Sequence, residues 1–121
     1  MTRTEPIIAV KNVSKSSLFY QRLLGCTSQH GGETFEILTD NGTVILCLHK
    51  WGEHDHPTMR DQIHAGNGFI LFFRVDNLKQ IFENATLLNA AIEKDIHYNE
   101  NSLRDQFILR DPDNYYLIVS A

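Results

Sequence analysis

The chain has no basic cluster, few cysteines and no long apolar run, and each lack removes a class of function. Lysine and arginine number 11 against 15 acidic residues, a net charge of −4. Without a basic patch, little can displace counterions from a phosphate backbone, so no nucleic-acid partner is expected. No apolar stretch approaches the roughly 20 residues that span a bilayer. The start, Met-Thr-Arg-Thr-Glu-Pro, lacks the apolar centre of a signal peptide. The expectation is therefore a cytoplasmic protein with no membrane partner. Cys26 and Cys47 lack CxxC spacing, which favours reduced, buried thiols while leaving a disulfide open. No nucleophile motif, phosphate-binding glycine loop or dinucleotide fingerprint occurs.

What is present fits one domain. The 121 residues are enough for a core without staples, and 42% hydrophobic content is ordinary for a globular chain. Ile7–Val10 reads as a strand. Ser14 is placed to cap a helix whose residues Phe19, Tyr20, Leu23 and Leu24 share a face before Gly25 stops it. Two strands, Phe35–Leu38 and Val44–Leu48, flank Asp40-Asn41-Gly42, the sequence of a type I′ hairpin turn. A polar loop, residues 51–67, leads to a strand at Phe69–Phe73. Asn77 with Gln80 resembles a capping box, opening a helix with Leu78, Ile81, Phe82, Ala85, Leu88 and Ile92 on one face. Strands near Asp95–Asn99, Gln106–Arg110 and Tyr115–Ser120 follow, the last two joined by Asp111-Pro112-Asp113-Asn114. Proline pre-sets φ in that turn, and Asn114 tolerates the left-handed conformation.

Strands 44–48, 69–73 and 115–119 are apolar almost throughout, so both of their faces should leave water. Helices can cover one face. The other must close on a second sheet, on another subunit, or around a ligand.

Two motifs give the chain its resemblance to a known family. Val10-Lys-Asn-Val13 running into Phe19-Tyr20 and Leu24-Gly25, with the Asp-Pro-Asp-Asn hairpin, resembles the vicinal-oxygen-chelate superfamily of glyoxalase I, bleomycin-resistance proteins and extradiol dioxygenases. The resemblance implies an α+β fold of two tandem βαβββ units whose curved mixed sheets surround a cavity. The first unit would span about residues 5–50 and the second about 68–121. It also implies a homodimer. Metal-dependent members hold a divalent ion with His, Gln or Glu from four strands, and those positions fall here on Glu5, Leu46, Ile70 and Ile118. Three are aliphatic, so no metal and no cofactor is expected.

By two-residue alternation Leu48, Phe72 and Tyr116 join the same faces, giving an apolar floor. Glu5, Tyr116 and Arg104 are its polar candidates, and Trp51 at the loop entrance is a candidate gate over a bound ring. The expected partner is a small apolar or aromatic molecule, with the acidic balance favouring a cationic one. His49, His54, His56 and His64 crowd around the loop, but their spacing suits a solvated loop better than a metal site. The competing reading is a lyase, isomerase or dioxygenase with an atypical metal site, Glu5 joined by loop histidines.

Overall fold

The computed structural model describes residues 1, 3–54, 56–60 and 66–121; His64 and the rest of the loop at 55 and 61–65 lie outside the described residues. The chain divides into two compact units, Met1–Ala65 and Gly66–Ala121. The first contains β1 (Ile7–Val10), α1 (Val13–Leu24), β2 (Thr27–Ser28), β3 (Phe35–Asp40) and β4 (Thr43–Lys50). The second contains β5 (Ile70–Arg74), α2 (Leu78–Leu87), β6 (Ala91–Asn99), β7 (Arg104–Arg110) and β8 (Tyr116–Ser120). Their sheets have the same order, β1-β4-β3-β2 and β5-β8-β7-β6. In each, the first strand runs parallel to the last, β1 with β4 and β5 with β8, and the other pairs are antiparallel. These are the two tandem βαβββ units of an α+β fold. Among the described residues no helix is long and apolar enough to cross a membrane.

The hairpin turns form as their residues require. Asn41 and Gly42 take φ of 49° and 77°, the two positive angles of a type I′ turn. At the last turn Asp111 Oδ1 accepts from the N–H of Asp113 at 2.8 Å and of Tyr115 at 2.9 Å, while Asn114 sits at φ 71°. Gly66 lies against Tyr115: at φ +71° an added Cβ would fall 2.9 Å from the ring's Cδ1.

The helix ends differ from expectation. Asn12, not Ser14, caps α1: its extended backbone lets Oδ1 accept from Lys15 N–H at 2.9 Å, leaving Ser14 inside the first turn. Asn77 makes no side-chain cap bond, and Gln80 instead donates to Asn84 Oδ1 at 3.0 Å. Ile92 belongs to β6, not α2. Asn89 turns left-handed at φ 53° and ends the helix early, which lets β6 start at Ala91.

The first unit's core lies between its sheet and α1. Ser17 of α1 donates to Glu36, which pairs across the sheet with Leu48, so the face carrying Leu38, Leu46, Leu48, Ile8 and Val10 is the one under the helix. In the second unit Phe82 of α2 meets Phe107 at 5.1 Å between ring centroids, which puts Leu71, Leu109, Leu117 and Val119 on the helix side. Each such side chain, fully buried, stabilises the fold by about 1.5–3 kcal/mol.

Candidate functional site

Alternation along β5, β8 and β7 leaves one face of the second sheet without a helix. The register sets Ile70, Tyr116 and Arg110 in one row, and Phe72, Ile118 and Ile108 in the next. Ile70 is 54% exposed and Phe72 47%, whereas Leu117, between Tyr116 and Ile118, is wholly buried. This is the apolar surface that continuous apolar strands foreshadow: one face under α2, the other open. The structure therefore brings Ile70, Phe72, Tyr116 and Ile118 together.

Two residues that the sequence reading passed over complete the patch. Ile108 sits beside Ile118, and the Arg110 guanidinium lies over the Tyr116 ring at 4.9 Å. The signal was the alternation Gln106, Ile108, Arg110 paired against Ser120, Ile118 and Tyr116. Arg110 is held in place by Glu93 Oε1, which accepts from its Nε at 2.5 Å, and by the Asn114 carbonyl, which accepts from Nη1 at 3.0 Å. Arg74 leans over Phe72 at 5.8 Å. Beyond them Gln106 and His97 approach at 3.1 Å, and Asn99 donates to Gln106 Oε1 at 3.0 Å. Arg104 shares the alternation but donates to the Ala121 carbonyl at 3.2 Å.

The remaining candidates stand in the first unit. Leu46 and Leu48 do not line an open face. Both are 0% exposed on the α1 side, so they are core. The reason is one residue of register: the positions of β4 facing away from α1 are Cys47 and His49, paired with Ile7 and Ala9. The Cys-His against Leu-Leu alternation within Leu46-Cys-Leu-His49 carried that signal. Glu5 is exposed and lines a depression of about 430 Å³ with Arg3, Thr4, Gly42, Thr43 and Val44. Trp51 is half-buried just past β4, its backbone N–H donating to the Val10 carbonyl at 3.2 Å.

The histidines do more than decorate a solvated loop. His49 is 3% exposed, and the rings of His54 and His56 pack on it at 4.9 and 5.3 Å between centroids. His49 Nδ1 donates to the Lys50 carbonyl at 2.8 Å, which leaves Nε2 as the acceptor for His54 Nδ1 at 2.9 Å. The rings thus fasten the start of the loop to the sheet.

Burial raises the Cys47 thiol above its ordinary range, with Glu5 and Glu36 adding to it, and burial pushes Cys26 up to about 11. Both cysteines are free. Glu36 is the opposite case. Its burial alone would raise the carboxyl, but the N–H groups of Gly31, His30 and Ile37 and the Ser28 hydroxyl outweigh it and hold it below the usual carboxylate range.

The residues present do not fit a four-strand metal site. Ile70 and Ile118 carry no donor atoms, burial raises the β4 thiol at Cys47, and Glu5 supplies the one carboxylate at those positions. Among the described residues no group of three His, Cys, Asp or Glu is placed to hold a metal ion.

Residues 3–119 match the family model described as the Glyoxalase/Bleomycin resistance protein/Dioxygenase superfamily. Solved structures share the fold at low identity. The integron cassette protein VCH_CASS1 of V. cholerae is 19% identical at a TM-score of 0.76, covering 99% of this chain and 94% of that one. TioX of Micromonospora sp. ML1 is 14% identical at 0.78, covering 98% of each chain. The fosfomycin resistance protein FosX of Mesorhizobium loti is 7% identical at 0.73, covering 99% and 91%. No curated protein matches the sequence.

Proposed function

We propose that this chain, which belongs to the Glyoxalase/Bleomycin resistance protein/Dioxygenase superfamily, binds a small apolar or aromatic molecule without using a metal ion. One observation carries the reading: Ile70, Phe72, Ile108 and Ile118 form a contiguous apolar face that no helix of their unit covers. A soluble domain exposes such a patch at a cost unless something occupies it. An aromatic guest would lie on the two rows, with Tyr116 and Arg110 orienting its polar end. The absence of donor atoms at positions 70 and 118 supports binding without Lewis-acid chemistry there.

From the family resemblance, Glu5 and Trp51 stay ligand-binding candidates of the first unit and Arg104 one of the second. The reading extends, from the family resemblance, to a homodimer in the cytoplasm; sedimentation of the purified chain tests the first part.

A thermal-shift screen of small aromatic compounds tests the proposal directly. Hits should raise Tm in the parent protein and lose most of that gain in Phe72→Ser. A screen without hits counts against binding. Elemental analysis of untagged protein tests the metal-free part, since stoichiometric bound metal would restore the enzymatic alternative.

A further inference from the structure

We infer that the molecule bound on this face carries a negative charge attached to its apolar body; the inference rests on the binding reading above. The chain as a whole is acidic, and net charge alone would favour a cationic guest. The open face of the second sheet has the opposite local balance. Register places Arg110 beside Tyr116 and Lys94 beside Ile108, and Arg74 leans over Phe72. Among described charged side chains, Glu93 is held to this face by Arg110, and Asp95 follows Lys94 on β6 where the register shifts. Asp105 pairs with Tyr98 and, two positions before Phe107, falls on the α2 side of the alternation.

Position matters more than total charge here. At physiological ionic strength charges are screened beyond about 8 Å. The acidic residues elsewhere therefore count for little at the patch, and the cations on its rim count for most. The guanidinium of Arg110 is also oriented. Tyr116 stacks on it, Glu93 takes Nε and the Asn114 carbonyl takes Nη1, so Nη2 takes no part in either contact. A planar donor held this way loses little freedom when it meets a carboxylate or sulfonate. A ring seated on Phe72 and Ile118 would bring an attached anion to the Arg110–Lys94 rim. The chemical class is thus an aromatic or aliphatic acid rather than an amine.

Three probes with one ring system separate the terms: 2-naphthoate, 2-naphthylmethanol and 2-naphthylmethylammonium, titrated calorimetrically into the full chain. The expected order has naphthoate about tenfold tighter than the ammonium probe, a preference that shrinks as salt rises. Lys94→Gln with Arg110→Gln should erase that preference while naphthylmethanol still binds, which also shows that the variant is folded. Glu93→Gln, which removes the negative charge beside Arg110 while its amide oxygen can still accept from Nε, should strengthen naphthoate binding by about threefold. Equal or tighter binding of the ammonium probe overturns the inference and leaves apolar binding standing. A preference that survives the double variant overturns it as well. Failure of all three probes overturns the binding reading and this inference with it.

Discussion

Glu36 should be the most informative single substitution in the first unit. Its Oε1 accepts from three backbone N–H groups, His30 at 3.0 Å, Gly31 at 2.8 Å and Ile37 at 2.9 Å. Its Oε2 accepts from Ser28 Oγ at 2.6 Å and Ser17 Oγ at 3.3 Å. Glu36→Gln can keep a carbonyl oxygen on the three N–H groups and turn its amide toward hydroxyls that rotate to accept. What it loses is charge assistance, so about 1–2 kcal/mol is expected. Glu36→Ala strips the side-chain acceptor from three N–H groups and two hydroxyls, of which those of Ile37, Ser17 and Ser28 are least open to water, and about 3–4 kcal/mol is expected. With roughly 2.1 cal/mol/K of unfolding entropy per residue, 1 kcal/mol lowers Tm by about 4 °C for a chain of this size. The two variants should therefore melt roughly 4–8 °C and 12–16 °C below the parent.

The pH dependence gives a second, independent reading. The folded carboxyl lies below its unfolded value, so its stabilisation is complete above the unfolded pKa, near 4.3. That stabilisation is lost as pH falls through the folded value. Urea unfolding of the parent and Glu36→Gln should differ at pH 7 and converge on acidification below pH 4. A difference that stays constant to pH 3, or a glutamine variant as damaged as the alanine one, would refute the account of this cluster.

Other outcomes follow from burial and backbone geometry. Leu46→Ala should cost about 3 kcal/mol in denaturant unfolding, because its side chain is wholly enclosed under α1. Ile70→Ala should cost under about 1 kcal/mol yet weaken aromatic-probe binding, a reversal that tests which face is open. Gly42→Ala should cost about 1 kcal/mol through its φ of 77° alone, since no atom lies within 4 Å of the added carbon. Cys26 should react with thiol reagents at pH 8 far more slowly than a free thiol, its thiolate fraction being about one in a thousand, and quickly in denaturant.

Turn chemistry and strand composition made the architecture legible. Asn41-Gly42 and Asp111-Pro-Asp-Asn114 fix hairpins through local sterics, and local sterics do not depend on the rest of the fold. In the second unit Ile70, Phe72, Tyr116 and Ile118 fall on one side of the sheet, as two-residue alternation predicts. In the first unit the alternation was read one residue out of step. A one-residue offset in β4 moved Leu46 and Leu48 from floor to core, because a period of two turns every small error into a change of face. Arg110 was missed for a different reason. Its importance comes from its register partner Tyr116, and a cross-strand neighbour cannot be read from either strand alone. The early end of α2 depended on Asn89 adopting a positive φ, which residue type permits but does not compel.

Gly66 has a consequence out of proportion to its size. Its bare α-carbon leaves room for Tyr115, whose N–H is held by Asp111 just ahead of the strand that carries positions 116 and 118. Any side chain at 66 would meet that ring, and the ring or the turn must shift to make room. On the proposed binding reading, a selection for altered binding should recover replacements there alongside those in the patch itself.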